Sequence, residues 1–219
     1  MKTRESVKRT YRSTLRQDQT QVTRHIVVEA AARLFAEDGY AAVSMGAIAE
    51  AAGVSRATVF NAVGGKSTLL AEAYAMCFGL AAGMEQRAMP LVERPRSLQV
   101  RAQPTAQAYI EDYCALFTSI CVHLARIHEA LREAACADRQ AHAYLERVYS
   151  ERRRGAATIV ADVQARMPLR PGLDSEVAAD AVWAMIDPSW YHLLVHRCGW
   201  ADARFQAWLA RALASQLLA

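Results

Sequence analysis

Residues 44–66, SMGAIAEAAGVSRATVFNAVGGK, constrain the fold more than any other stretch, because they read as two short helices joined by a glycine turn. Ile48, Ala49, Ala52, Val54, Val59 and Val63 fall at helical intervals on either side of Gly53. Small and branched residues there let two helices pack closely at a steep angle. Ser44 and Ser55 precede the two runs, where a hydroxyl accepts the free N–H groups of an opening turn. Gly53 ends the first helix at a position that calls for positive φ. Ala49, Gly53 and Val59 then follow the grammar of a helix-turn-helix: small residue, turn glycine, apolar anchor. A helical hairpin with another purpose shows the same grammar, so the flanking sequence has to discriminate.

Upstream, Ile26, Ala30, Ala31, Leu34 and Phe35 form an apolar stripe closed by Asp38-Gly39-Tyr40, a helix end. Downstream, Lys66, Leu69, Leu70, Ala73 and Cys77 begin another helix. The run from Thr23 to Leu70 closely resembles the N-terminal domain of the TetR family of transcriptional repressors. The matched elements are the apolar helix ending in Leu34-Phe35, the Gly39-Tyr40 turn, the Ile48-Ala49, Ala52-Gly53-Val54-Ser55 and Thr58-Val59-Phe60 core, and the lysine that opens the fourth helix. The chain departs from the family at Phe60, where tyrosine is usual, at Asn61, and at Val63 and Gly64.

The second helix, with short side chains and donors near its N-terminus, suits the major groove of double-stranded DNA. Arg56, Ala57, Thr58 and Asn61 are expected at or beside base edges, with Ser44, Ser55, Phe60 and Lys66 positioning the backbone. Asn61 can read adenine through its amide, or contact phosphate or cap the helix. Lys66 after Gly64-Gly65 resembles the end of a phosphate-binding loop, but Phe60 stands where that loop needs a glycine.

Of the 26 basic residues, seven lie before residue 25, against two acidic ones, in a chain of net charge +4. Residues 1–20 are therefore expected to be a flexible basic arm that tracks phosphate or only solubilises. The expected division is that arm, a DNA-binding domain at 21–81 with its motif at 44–63, and a C-terminal domain at 82–219. At 219 residues and 53% hydrophobic content the chain can bury a real core. No apolar run approaches the roughly 20 residues that cross a bilayer, no secretion signal opens the chain, and the five cysteines form no CxxC pair, so no membrane contact and a reducing, cytoplasmic location are expected.

The fold class expected is all-α, with about nine helices. Met89 to Pro104 holds three prolines and reads as a connection. Helices are expected from Thr105 to Ile120, Cys121 to Ala137, Asp138 to Met167, Asp174 to Cys198 and Asp202 to Leu218. Pro188 either kinks the penultimate helix or, with Asp187 as cap, begins a new one. Phe205, Trp208, Leu209 and Leu213 form a broad stripe, matched by Val177, Ala181, Met185, Tyr191 and Val195. Stripes this wide press against something. The family resemblance implies that these helices pair with those of a second copy, giving a homodimer that reads a palindrome. It also implies a small-molecule effector in the C-terminal domain, for which Tyr109, Tyr113, Phe117, His123, Ile127, Tyr144 and Trp183 are the candidate lining residues.

No catalytic residues, metal ligands or cofactor are expected. His192 and His196, four apart near Cys198, lack the further ligand a metal needs. Arg152, Arg153 and Arg154 read as a solvated helix face. Taken together, the sequence points to a ligand-released repressor. The rivals are a helical adaptor that has lost DNA binding and a small helical enzyme.

Overall fold

The computed structural model describes residues 4–80 and 94–219, with side chains from residue 20 onward apart from Leu80. Ten α-helices follow one another: α1 (Arg4–Ala42), α2 (Met45–Ala51), α3 (Arg56–Val63), α4 (Lys66–Leu80), α5 (Pro95–Arg101), α6 (Ala106–Ala135), α7 (Arg139–Gln164), α8 (Ser175–Met185), α9 (Pro188–Tyr191) and α10 (Asp202–Leu217). A π-helical segment, His192–Arg197, continues α9. The described residues contain no strand.

The central element is α6, 30 residues without glycine or proline, which packs on α1, α4, α7 and α10. It is one helix where the sequence suggested two, because nothing between Ile120 and Cys121 can end it. It is also long and apolar enough to cross a membrane by length and composition, although charged residues such as Asp112 and Arg126 interrupt its apolar run. The fold uses it as a core helix, with 61% of its most apolar window buried. Ile110, Ile127 and Leu131 of α6 are wholly buried, in the same cluster as Phe35 of α1, Leu69 and Leu70 of α4, and Phe205 and Leu209 of α10.

Two further differences from the sequence reading have local causes. The backbone is helical from Arg4 rather than a flexible arm from 1 to 20, since no glycine or proline interrupts the chain before Gly39. The supposed connection between Met89 and Pro104 contains α5, which opens with Pro95 at its first position, where the missing N–H costs nothing. Of the two alternatives at Pro188, the structure takes the second: Asp187 caps a new helix, its Oδ1 accepting from the Ser189 N–H at 2.9 Å.

Candidate nucleic-acid interface

Local chemistry builds the helix-turn-helix as the sequence suggests. Ser44 Oγ accepts from the Ala47 N–H at 3.0 Å, and Ser55 Oγ from the Thr58 N–H at 3.1 Å. Gly53 turns the chain at φ 66°, with the Val54 N–H returning to the Ala49 carbonyl at 3.0 Å. Ile48, Ala49, Val59 and Val63 are buried with Val27, Ala31 and Phe35 of α1, whereas Ile26 of the predicted stripe is exposed. Val27 and Val28 supply the buried turn that the stripe assigned to Ile26.

The candidate contacts divide by how free they are. Ser44, Ser55, Arg56, Ala57, Phe60 and Asn61 are exposed, and Thr58 is half-buried. The hydroxyls of Ser55 and Thr58 lie 2.8 Å apart, so the cap occupies both. Arg56 leans back over α2, so close that a Cβ on Gly46 would sit 3.8 Å from its Nε. Lys66 turns inward: its ammonium donates to the Tyr40 carbonyl and lies 4.1 Å from the centre of the Tyr40 ring. Burial lowers its pKa, against the opposing pull of Glu133. This lysine is structurally engaged, not held out toward a backbone phosphate as the sequence reading has it.

Two clamps were not legible in the sequence. Arg24, counted there with the basic arm, donates to Glu72 at 3.0 and 2.5 Å and to the Ala62 carbonyl near the end of α3 at 2.7 Å. Glu133, near the end of α6, accepts from the N–H groups of Tyr40 at 2.8 Å and Ala41 at 3.2 Å. Tyr40 also donates its hydroxyl to Asp138 at 3.3 Å. Tyr40 thus links α1, α4, α6 and the cap of α7. Gly39 makes the approach possible, because it holds φ 82° and a Cβ there would stand 2.9 Å from Glu133 Oε2. The Gly39-Tyr40 turn was the one sequence signal that could have pointed to this joint.

A cavity of about 710 Å³ lies between α4, α6 and α7. Tyr113, Phe117 and Tyr144 of the predicted lining face it, together with Leu116, Ile120 and Leu124. Tyr109, His123, Ile127 and Trp183 do not line it: Tyr109 and Ile127 are core residues, His123 faces outward, and Trp183 packs edge-on against Tyr149. Arg94, Arg152, Arg154 and Glu151 add charge to the wall. Arg152 is not on a solvated face. It donates to Asp187 Oδ2 at 2.6 Å and to the Trp183 carbonyl at 3.3 Å. His128, wholly buried, places Nε2 3.6 Å from Asp187 Oδ1 and Nδ1 3.3 Å from the Tyr74 hydroxyl. Burial opposes ionisation of Asp187, but His128 and the Arg152 charge outweigh it and hold the carboxyl below its usual range.

The predicted dimer face splits in two. Phe205, Leu209, Leu213 and Tyr191 are buried within the chain itself. Their stripe belongs to the intramolecular core, because α10 packs on α6 and α8. Val177 is 58% exposed, while Ala181, Met185, Val195 and Trp208 are half-buried. Trp190 and Leu193, which the sequence reading did not select, are also exposed. His192 and His196 stack edge-to-face in the π-helical segment, and no cluster of three metal-binding side chains occurs among the described residues. Cys77, Cys114 and Cys121 are buried, and burial pushes the Cys114 thiol up to about 12, which suits packing and not thiolate chemistry.

Comparison with known proteins agrees with this geometry. Residues 27–73 match the family model of bacterial regulatory proteins, tetR family. No match emerges among curated proteins compared by sequence. Among solved structures, a transcriptional regulator from Saccharomonospora viridis in complex with choline superposes with a TM-score of 0.66 at 17% identity, covering 91% of this chain and 99% of its own. NalD of Pseudomonas aeruginosa, the secondary repressor of the MexAB-OprM multidrug efflux pump, gives 0.62 at 20% identity, over 91% and 98%. The ketosteroid transcriptional regulator KstR2 of Mycobacterium tuberculosis gives 0.61 at 16%, over 90% and 95%. Identities this low carry the fold alone, so the family match is that of the N-terminal domain: residues 27–73 belong with the DNA-binding domains of the tetR-family bacterial regulatory proteins.

Proposed function

We propose that the chain is a ligand-responsive repressor, a homodimer that binds a palindromic operator and leaves it when a small molecule occupies the cavity. The observation that carries the reading is one continuous helix: α6 lines the cavity with Tyr113, Phe117 and Leu124 and holds the Tyr40 joint with Glu133. The DNA-reading unit then spans 21–81 and the effector and dimerisation unit 82–219. The similar structures support the ligand and repressor parts, since one of those proteins is described with choline and another as a repressor.

Two copies are required by reach. One recognition helix reads few bases, whereas two held about 34 to 36 Å apart read both half-sites of a palindrome. The exposed parts of the C-terminal face, Val177, Trp190 and Leu193 with Ala181, Met185, Val195 and Trp208 beside them, are the surface assigned to the partner copy. A ligand releases DNA only if it binds better to the conformation that cannot span both half-sites. Arg56, Ala57, Thr58, Phe60 and Asn61 are the proposed DNA contacts, with Ser44 and Ser55 at the backbone.

Selection of bound sequences from a random duplex pool tests this directly. Enrichment of an inverted repeat is the expected result, and enrichment of none overturns the DNA reading. Sedimentation that finds a monomer at micromolar concentration overturns the homodimer.

A further inference from the structure

Among the described residues of α2 and α3, Phe60 is the one large hydrophobic side chain left in solvent, 51% exposed. Its neighbours on the outward edge of α3 are Ala57, one turn before, and Asn61. Of the polar groups nearby, Thr58 shares its hydroxyl with Ser55 and Lys66 donates to Tyr40, while Arg56, exposed one turn before Phe60, leans toward Gly46 of α2. Beside Arg56, this edge therefore presents two apolar surfaces and one amide. That is an unusual edge to present to a polyanion, because neither Phe60 nor Ala57 can hydrogen-bond a phosphate through its side chain.

We infer that Phe60, with Ala57 beside it, reads thymine, its ring packing on a C5 methyl group in the major groove. This deepens the DNA-reading function above and rests on it. The methyl of thymine is the apolar group that base edges offer in that groove, and alanine and phenylalanine are among the side chains suited to it. Asn61, adjacent on the same edge, suits the adenine of such an A·T pair or of its neighbour. The half-site is therefore expected to contain a thymine under α3 whose methyl group matters to binding. Packing of the ring on deoxyribose is the sequence-blind alternative.

The test uses the full-length protein and the operator recovered by pool selection. Each thymine of a half-site is replaced in turn by deoxyuridine, which lacks only the methyl group, and affinity is measured for the wild type and for Phe60→Ala. The expected result is a position where deoxyuridine weakens the wild type about fourfold, the worth of one buried methyl, and leaves Phe60→Ala unchanged. Phe60→Leu, which keeps an apolar contact, should retain part of the sensitivity, and circular dichroism checks that both variants fold. If no substitution weakens the wild type, or if Phe60→Ala binds all sequences more weakly while keeping its full deoxyuridine penalty, the thymine assignment is overturned and DNA reading stands. A pool that enriches nothing overturns both.

Discussion

The two ends of the molecule are specified by different physics. At the DNA end the helices are short, seven and eight residues for α2 and α3, and each is fixed by its own serine cap, with one glycine turn between them. At the cavity end the helices run to 30 and 26 residues, and what places a side chain is the neighbour across the bundle. Rules of local range write themselves into sequence, whereas packing partners distant along the chain do not.

The largest effect should come from the buried half of the stripe once assigned to a dimer. Phe205→Ala empties a fully buried site and should cost about 3–5 kcal/mol of folding stability, read from urea denaturation. Val177→Ser, on the exposed half, should leave folding within about 0.5 kcal/mol and show itself in sedimentation as a weaker dimer. Equal unfolding effects from the two would erase the split between core and face.

Next in size is the charge cluster behind the cavity. Asp187→Asn removes the partner of Arg152 and should destabilise by about 2–3 kcal/mol at pH 7. Because the folded-state pKa is depressed below the ordinary carboxyl value of 3.8, this stability is present above that value and is lost as pH falls through the lower folded one. The gap between wild type and variant should therefore close in denaturation runs below pH 3.8. A gap that stays constant into strong acid would contradict the ionised cluster.

Smaller effects belong to the DNA end. Ser55→Ala should cost about 1 kcal/mol through the lost cap and lower operator affinity accordingly, with little change in effector affinity. Smallest is the expected change in salt dependence for Lys66→Ala. A lysine on phosphate would reduce the slope of log affinity against log salt by about 1. Since the ammonium is bound to Tyr40, the slope should hold and local stability should fall instead. A clear drop in slope would return Lys66 to the DNA.

Sequence alone rendered the helix-turn-helix almost completely, since Ser44, Gly53 and Ser55 are signals that act within four residues. It placed Tyr113, Phe117 and Tyr144 at the cavity but also His123, which faces out, because a long apolar helix has cavity-facing and outward-facing residues of similar chemistry. Glu133 escaped notice for the opposite reason. It looks like any exposed acid, and its role depends on Tyr40, 93 positions away.

Helix α6 has a consequence of phase. Leu124 and Glu133 stand nine residues apart, so they lie about 180° from each other around the helix axis. The cavity wall and the Tyr40 joint are on opposite sides of the same rod, and a guest that displaces the wall drives the joint in the direction Glu133 points. Under the proposed function, efficacy would track bulk rather than tightness. A small guest that binds strongly without moving the wall would have equal affinity for both states and act as a silent competitor, while a larger and weaker one would be the inducer.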